Sequence, residues 1–587
     1  MTETNHPSWG QIHVPHRVLR AFHIAAAGLA VAVALLLILD LRYGWLRHSP
    51  GGEAFDVGLQ PWFILLFAVG ALVAQRWKVV GGALATFTAA ALVIFAARQL
   101  RPLDATLVLI GFLVPALLWL VVGLFEYRDE RFHRTDDEHP RSLLRRRDVI
   151  AGAVVLGVTG FGGVRLGRWL FDRLYGPTHP QSTTSAVQGS TTRWLWSGAI
   201  TSNGAAVTTR LVNDDAGPVE LLVGRGETLS DAVTIAGRNE DEGLVRVDIG
   251  DLEPDTDYHY AFVVAGEVDR ARIGRFRTFP KGPVSFNLVI AACARTGSNG
   301  VVFDTIRTLD PTLVIFDGDL HYADITRNDQ QAFRQILDHT LGQPAQAALF
   351  QRCPVAYVWD DHDFGGSDGS SRSRPAAMAT YRRFVPHYPL EAEDSAINQA
   401  LTIGRVRILL TDARSNRRPG EDFEPGTMLG PTQKQWLLDE LVAARDSHAL
   451  TIWVNPVPWI APAGEEGDTD TWGGYASERS EIADFISDNG IAPSLLMLSG
   501  DAHMLAFDDG TNSDYSRRGD AGFPVFHAAA LDRPGSIKGG PYSHERIPGG
   551  GQFGHVEVSD DGESVSVHLI GRNWRNQILM DHRIPIR

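Results

Sequence analysis

The sequence predicts a multi-domain protein made of an α-helical membrane bundle, an all-β sandwich and a layered α/β domain. Three patterns along the chain predict this architecture. Long apolar segments fill residues 1–175, and short alternating strands separated by turns occupy residues 193–280. From residue 284 onward, apolar strands end in Asp, His and Cys. Each pattern belongs to a different fold class, so at least three structural regions are expected.

Length and charge exclude several classes of protein. At 587 residues the chain is too long for a single domain. Residues 1–164 carry a net charge of +3 and the remainder carries −18, which gives the formal total of −15. An acidic surface repels phosphate backbones, so no nucleic-acid partner is expected. None of the four Lys follows a Gly, so the phosphate loop of ATP-driven proteins is absent.

The apolar segments of the N-terminal region have the length of transmembrane helices. Residues 21–39, 57–74, 79–97 and 105–125 contain no Asp, Glu, Lys or Arg. At about 1.5 Å per residue, each covers the roughly 30 Å of a bilayer's hydrocarbon core. A shorter fifth segment spans residues 149–164, which completes a five-helix membrane anchor over residues 1–175. Because His23 is the one ionisable side chain well inside the first four segments, an anchor is expected rather than a transporter.

Positive charge predicts how the anchor is oriented. The loop before the fifth segment contains a concentration of arginines, namely Arg128, Arg131, Arg134, Arg141, Arg145, Arg146 and Arg147. The positive-inside rule places this loop and the N-terminus in the cytoplasm, and the chain after residue 164 outside. The triplet at 145–147 also resembles an internal twin-arginine export signal, with a simple positive-inside determinant as the alternative.

A tether and a small β-domain follow the anchor. Residues 176–192 are rich in Ser, Thr, Gly and Pro without apolar periodicity, which predicts a flexible linker. Residues 193–280 alternate in short runs typical of an antiparallel sandwich. The segment LEPDTDYHY at 252–260 resembles the corner of a fibronectin type III domain, where a Tyr hydroxyl binds an upstream backbone group. We expect this fibronectin III-like sandwich to cover or position the next domain, with partner binding as the alternative.

Polar side chains follow four predicted strands of the C-terminal domain. These side chains are Cys293 and Arg295, then Asp319 and Tyr322, then Asp360, Asp361 and His362, and finally Asp501 and His503. In layered α/β folds the ligand site lies beyond the carboxyl ends of the strands. Carboxylates gathered there repel each other unless cations neutralise them, so the pattern predicts a metal site.

The order of these motifs resembles the PhoD-type alkaline phosphatases, a branch of the calcineurin-like metallophosphoesterases related to purple acid phosphatases. The segments DAR at 412–414, GPTQKQWL at 430–437 and WGGY at 472–475 agree with that resemblance. It covers the chain from the sandwich to the C-terminus, and it implies a four-layer α/β/β/α metallophosphoesterase domain over residues 284–587.

The resemblance also implies the metals, iron(III) and calcium, whereas the residues alone indicate a mixed-ligand site for more than one metal. Asp319 is expected to bridge the metals. Cys293, Tyr322 and His503 suit iron. Oxygen ligands from Asp361 and Asp501, with Asp360 and Asn455 as further candidates, suit calcium. The wider superfamily has His where this chain has Asn455, so the second metal has one imidazole fewer.

Three residues are predicted to act on the substrate. Arg295 and Arg414 can hold phosphate oxygens in bidentate fashion, and a structural ion pair is the alternative for each. His362 is expected to protonate the leaving group or to orient the attacking hydroxide. His321 is expected to face away from the site.

These observations predict a multi-pass membrane protein whose extracytoplasmic domain is a metal-dependent phosphatase or phosphodiesterase. Its expected substrate is a soluble, wall or lipid phosphate ester. A non-catalytic envelope receptor or adhesin with a structural metal site is the competing hypothesis. Arginines beside the predicted ligands and a His placed for proton transfer favour the enzyme.

Overall fold

The computed structural model describes residues 178–586 except 215–216, 367–371, 393–394, 421–424 and 464–469. These residues belong to the second of two compact units, Asp172–Arg587, and the first unit is Met1–Phe171. The five predicted membrane segments, the arginine-rich loop and residues 176–177 of the predicted tether lie outside the described residues. Within the described part of the chain, no helix combines the length and apolar character needed to span a bilayer.

Both ends of the described part of the predicted tether contact the rest of the unit, whereas residues 185–189 between them are exposed. Gln181 forms an isolated β-bridge with Gly300. Further along, one carboxylate oxygen of Asp269 accepts hydrogen bonds from the side chains of Ser190, Thr191 and Thr192 at 2.7 to 3.0 Å. The hydroxyl groups of these Ser and Thr residues donate to the buried Asp269, a contact that amino-acid composition alone does not predict.

The sandwich domain is built from two antiparallel sheets. Its strands are β1 (Thr192–Gly198), β2 (Ala205–Leu211), β3 (Val219–Gly224), β4 (Val233–Ala236), β5 (Arg238–Asp241), β6 (Leu244–Ile249), β7 (Asp257–Val264), β8 (Glu267–Val268) and β9 (Gly274–Arg277). One sheet has the order β1-β2-β6-β5, and the other has β4-β3-β7-β8 with β9 paired to β7. The Tyr258 hydroxyl accepts a hydrogen bond from the Glu253 N–H at 3.0 Å, the upstream tie predicted for this corner.

The second domain contains two larger sheets and several helices. Its elements are β10 (Phe286–Ala291), α1 (Val301–Thr308), β11 (Leu313–Asp317), α2 (Gln330–Leu341), α3 (Pro344–Arg352), β12 (Val355–Val358), α4 (Asp361–Phe364), α5 (Arg374–Phe384), β13 (Gln399–Ile403), β14 (Val406–Leu410), α6 (Gly430–Ser447), β15 (Leu450–Asn455), α7 (Ala476–Asp488), β16 (Leu495–Ser499), β17 (Met504–Asp508), β18 (Val525–Ala528), β19 (Arg546–Pro548), β20 (Gln552–Asp560), β21 (Val565–Asn573) and β22 (Ile578–Ile586). Short 3-10 turns occupy Trp472–Tyr475 and Ala492–Ser494. The sheet orders are β12-β11-β10-β20-β21-β22 and β13-β14-β15-β16-β18-β17-β19.

Side-chain alternation along β15 shows how the layers stack. Ile452 and Val454 belong to the large core that includes Leu288 and Ile315 of the other sheet. Trp453, which points to the opposite face, packs in a second core with Leu437 of α6 and other helix residues. Because successive strand residues face opposite sides, one face of this sheet covers the other sheet and its second face covers helices. α1 also contributes to the large core, so the domain is a mixed α/β fold in which helices pack with two facing sheets.

The sandwich packs directly on the second domain. The Thr208 hydroxyl donates to the Phe384 carbonyl at 2.7 Å, and Arg246 donates to the Val385 carbonyl at 2.8 Å. The Trp196 ring stacks on Phe350 with ring centroids 5.6 Å apart. These contacts join the sandwich to α3 and to the end of α5.

Parallel pairing brings the ends of the functional strands to common sheet edges. β10, β11 and β12 are mutually parallel neighbours, and so are β14, β15 and β16. The carboxyl ends of parallel neighbours meet at one edge. The predicted ligands follow those ends, so the topology gathers them.

Candidate metal centre

Three predicted ligands lie just after parallel strands in left-handed backbone conformations. The angle φ is 61° at Cys293, 56° at Asp319 and 64° at Asp501. Residues with a Cβ seldom adopt this conformation, and where they do, the surrounding structure must hold them. Other residues with positive φ occur elsewhere among the described residues, but these three coincide with ligands that the motifs predict.

Two glycines let the strand-end loops approach each other closely. A Cβ on Gly318, whose φ is +89°, would lie 2.4 Å from the Cβ of Asp360. A Cβ on Gly500 would lie 2.5 Å from the carbonyl oxygen of Asp317. Any side chain at either position would push the loops apart, so the motifs need their glycines as much as their ligands.

One group of donors contains Cys293, Tyr322 and His503. The Tyr322 hydroxyl lies 3.1 Å from His503 Nε2, and Cys293 Sγ lies 3.5 Å from the Asp501 carbonyl oxygen. Burial, followed by the charge of Asp319, raises the pKa of both the Cys293 thiol and the Tyr322 hydroxyl well above their ordinary values. A nearby cation would be needed to ionise them.

The His503 ring is oriented for ligation through Nε2. Its Nδ1 lies 2.8 Å from the Pro534 carbonyl oxygen, which can only accept a hydrogen bond. Nδ1 therefore carries the proton, and the lone pair of Nε2 faces the Tyr322 hydroxyl. A carbonyl that holds the second ring nitrogen is the usual support of a metal-binding imidazole.

A second group of donors contains Asp319, Asp361 and His362. One donor atom from each of these buried residues lies within 4.8 Å of the others. Burial and the charge of Asp361 raise the pKa of Asp319 well above its ordinary value. Burial also opposes the charge of Asp361, but His362 and Arg414 outweigh it and lower the pKa of that carboxyl. Asp319 neighbours both donor groups, the position that a bridging ligand requires.

His362 is held by a carboxylate that the sequence analysis did not identify. Its Nδ1 lies 2.6 Å from Asp324 Oδ1, and its Nε2 lies 4.0 Å from Asp361 Oδ2. Burial disfavours its charge, yet Asp361, Asp324 and Asp319 raise the pKa of His362 well above the usual value. Its ring packs against Tyr322 with centroids 3.9 Å apart. Asp324 lies two residues after Tyr322, so the signal was present in the same motif.

Lys538 is a second residue that sequence reasoning missed. Its Nζ lies 2.7 and 2.9 Å from the two carboxylate oxygens of Asp501 and 2.5 Å from Asp470. Burial disfavours the ammonium charge, but Asp501 and Asp470 outweigh it and raise the pKa of Lys538 well above its ordinary value. The available signal was rarity, because the chain has only four Lys among 54 basic residues.

Arg414 is buried between two carboxylates. Its Nε donates a hydrogen bond to Asp360, and its Nη1 lies 2.9 Å from Asp470 Oδ1. This is the ion-pair arrangement that the sequence analysis left as the alternative to phosphate binding. Asp360 keeps one oxygen, Oδ2, that has no hydrogen-bond partner among the described residues.

Asn455 lies at the end of β15 with its amide group already engaged. Nδ2 donates to the Val457 carbonyl at 2.6 Å, and Oδ1 accepts from the Thr411 hydroxyl at 3.4 Å. It pairs in register with Ser499 of β16, two residues before Asp501. A metal at this edge would share Oδ1 of Asn455 with Thr411.

Asp317, two residues before Asp319, is a buried acid that was not among the predicted ligands. It is 0% exposed, and neither carboxylate oxygen has a hydrogen-bond partner in the described part of the chain. Burial and then the charges of Asp360 and Asp501 raise its pKa well above the ordinary value. A buried carboxyl without partners is costly unless a proton or a cation neutralises it.

Two arginines border the Tyr322 side of the site. Arg295 is partly exposed, and its Nε lies 3.8 Å from the buried carboxylate of Asp532. Arg533, which was not predicted, lies with its guanidinium carbon 4.2 Å from the centroid of the Tyr322 ring. Its Nε and Nη1 have no hydrogen-bond partner among the described residues. Two of its donor groups are therefore uncommitted beside a predicted ligand.

His321 and Cys353, the second cysteine of the chain, are both buried. His321 is buried, and burial followed by the charge of His362 lowers its pKa to about 3, so it is neutral near pH 7. Cys353 is buried in the large core at the end of α3, so it is a packing residue.

The donor set fits a mixed metal centre. One side offers a thiol, a phenol and an imidazole, and the other side offers carboxylates, some of whose buried oxygens lack partners in the described residues. Nitrogen and sulfur donors suit a transition metal, whereas an oxygen shell suits a hard cation. The residues present are therefore those that two different cations would need.

Comparison with known proteins agrees with this geometry. Residues 288–539, less than half of the chain, match the family model of the PhoD-like phosphatases. That range contains every predicted site residue and also Lys538. No curated protein matches the chain.

Two solved structures have a similar fold. The structure of PhoD is 16% identical and covers 69% of this chain and 94% of its own, with a TM-score of 0.55. The purple acid phosphatase from seeds of yellow lupin, Lupinus luteus, is 15% identical and covers 68% of this chain and 74% of its own, with a TM-score of 0.50. At these identities the likeness is one of fold.

Proposed function

We propose that the protein is a metal-dependent phosphoesterase that hydrolyses phosphate esters at the strand-end site. One observation carries the proposal: the ends of β10, β11, β12 and β16 bring six metal-ligand side chains, Cys293, Asp319, Tyr322, Asp361, Asp501 and His503, into one buried region. The match of residues 288–539 to a phosphatase family model supports the same reaction class.

We infer iron(III) for the donors Cys293, Tyr322 and His503, and calcium for the carboxylates Asp361 and Asp501, with Asp319 between them. Sulfur, phenolate and imidazole donors favour iron, and carboxylates favour calcium. When bound, the two cations would supply Lewis-acid activation of the phosphoryl group and of water.

His362 is the group placed to move a proton. Asp324 holds Nδ1, so Nε2 is left on the side of Asp361. A protonated imidazole held in this way can give its Nε2 proton to the oxygen of the leaving alcohol. Asp324, which is not one of the proposed metal ligands, lies 2.6 Å from Nδ1 and favours the protonated ring that this step requires.

Arg533 is a stronger candidate than Arg414 for binding the phosphate group. Arg414 forms ion pairs with Asp360 and Asp470, and its Nη2 has no hydrogen-bond partner among the described residues. Arg533 has two such donor groups, Nε and Nη1. Guanidinium groups match phosphate oxygens bidentately. Arg295, which is partly exposed, remains a second candidate on the same side.

The first test is hydrolysis of chromogenic phosphate monoesters and diesters before and after chelation. We expect turnover that chelation abolishes and that iron with calcium restores. Asp319→Asn should lower turnover by at least about 10²-fold, because one neutral amide oxygen cannot bridge two cations. Metal-dependent stability without turnover of either ester would instead support the receptor hypothesis.

Iron assignment has its own prediction. Cys293→Ser removes the thiolate from the predicted iron ligands and leaves the calcium ligands intact, so iron per chain should fall while calcium is retained. Elemental analysis of the purified variant measures both metals. Unchanged iron content would contradict thiolate ligation by Cys293.

We further propose that the catalytic domain is extracytoplasmic and held by the five apolar segments of residues 1–175. The charge-free segments of 18 or more residues and the arginine-rich loop support this location. A wall, lipid or soluble phosphate ester would then be the substrate class.

A further inference from the structure

A cluster of two histidines and a glutamate lies where the two sheets of the second domain meet. His544 and Glu545 directly precede β19 of one sheet, and His582 belongs to β22 at the edge of the other. One donor atom from each residue lies within 4.8 Å of the other two. The catalytic ligands, by contrast, follow β10, β11, β12 and β16.

The contacts within this cluster are those of residues that share one small volume. His582 Nε2 lies 2.8 Å from Glu545 Oε2, and the ring centroids of His544 and His582 are 4.8 Å apart. The side chains are partly open to solvent, with exposed fractions of 38% for His544, 53% for Glu545 and 17% for His582. A metal ion can therefore reach them from solution.

The buried ring of Phe507 on β17 packs against both imidazoles. It is 2% exposed, and its ring centroid lies 4.3 Å from that of His582 and 5.1 Å from that of His544. Its backbone N–H donates to the Glu545 carbonyl at 3.3 Å, and its carbonyl accepts from the His544 N–H at 3.1 Å. The rings and the carboxylate are thus positioned by packing and by backbone pairing, the kind of support that preorganises a metal site.

Asp509 places a second carboxylate beside His544. Its Oδ1 accepts hydrogen bonds from the Thr511 hydroxyl at 2.6 Å and from the Ser543 hydroxyl at 3.0 Å. Its Oδ2 lies 3.5 Å from His544 Nε2. A fixed carboxylate beside a histidine is the partner that commonly orients a metal-binding imidazole.

We propose that His544, Glu545 and His582 form a zinc site that is separate from the catalytic centre and joins the last strand, β22, to the neighbouring sheet. Two imidazoles and a carboxylate are zinc ligands, whereas calcium and magnesium prefer oxygen. The remaining coordination position is open to water. Because the ligands come from two sheets, bound zinc acts as a cross-link that stabilises the C-terminal edge.

The proposal is tested by zinc titration of the full-length protein, already loaded with its catalytic metals, using calorimetry. Wild type should bind one zinc equivalent more than His544→Ala and His582→Gln, whose affinity at this site should fall at least about 100-fold. Cobalt should give tetrahedral absorption bands in wild type that both variants lack. Zinc should raise the thermal midpoint of wild type only.

His568→Ala is the matched control. His568 lies on β21 with Nδ1 2.9 Å from Glu557 and Nε2 2.7 Å from Asp581, so it is a histidine held between two carboxylates. This variant should keep the extra zinc equivalent. Equal zinc stoichiometry and affinity in wild type and His544→Ala would overturn the proposal. Ester hydrolysis should be unchanged in His544→Ala, so failure of the zinc site and failure of the catalytic proposal are distinguishable.

Discussion

Charge balance around single residues controls the centre of this protein. Asp501 and Asp470 share the ammonium group of Lys538, and Asp470 also pairs with Arg414. Buried carboxylates at this density repel one another. Burial raises the pKa of Asp501 most, and the charges of neighbouring carboxylates, Asp470 first, raise it further. Lys538 and Arg414 therefore hold the buried carboxylates of this region together.

Lys538→Met should lower kcat/KM for ester hydrolysis by about 10²-fold, because it removes the positive charge that neutralises Asp501, a proposed metal ligand. It also leaves Asp501 and Asp470 without their shared ammonium partner. Steady-state kinetics with a chromogenic ester measure the effect. Lys434→Met is the control. Lys434 lies on α6, outside the strand-end loops, and its Nζ is 2.6 Å from Glu481 of α7. Equal activity of the two variants would remove Lys538 from the site.

At the scale of elements, the strand-end loops work because their backbones can turn sharply and pack closely. Cys293, Asp319 and Asp501 all have positive φ, and Gly318 and Gly500 occupy points of closest approach. The segments DGD at 317–319 and GDAH at 500–503 therefore determine the geometry of the loops as well as the predicted ligands. Backbone strain of this kind is tolerated only where the surrounding packing holds it.

Gly318→Ala should destabilise the protein by more than Gly266→Ala and should also lower activity. Both glycines have similar φ, +89° and +85°, but an added Cβ meets Asp360 at 2.4 Å in the first case and nothing within 4 Å in the second. The left-handed conformation costs an Ala roughly 1 kcal/mol at either site, and the clash adds to that cost only at Gly318. Thermal unfolding and ester turnover of the two variants distinguish the cost of the left-handed conformation from the cost of the clash with Asp360. Equal effects would show that the loops are looser than their packing indicates.

At the scale of the whole molecule, the sandwich and the two-sheet domain form one packed unit. Trp194 Nε1 donates to Asp338 of α2 at 3.0 Å, and Arg210 pairs with the same carboxylate at 2.9 Å. Interface groups of this kind hold the sandwich beside helices α2 and α5. The sandwich is therefore a structural support of the domain that carries the site.

Replacing Arg145, Arg146 and Arg147 together with Lys tests the proposed export route. If the triplet is a twin-arginine signal, the variant should leave the catalytic domain inside the cell, because Lys keeps the charge but not the arginine pair. Protease added to intact cells measures exposure. If the domain remains accessible, the triplet is a positive-inside determinant, which charge alone satisfies.

The strands, the polar residues at their ends and the metal-binding chemistry of those residues follow from the order of amino acids, because periodicity and ligand type are local properties. Which side chains contact one another could be seen only in the folded chain. Lys538 reaches Asp501 across 37 positions and Arg533 lies over Tyr322, contacts that long-range packing makes. Packing also decided that Arg414 is held by ion pairs and that Ser190, Thr191 and Thr192 bind Asp269, since both depend on where buried carboxylates lie.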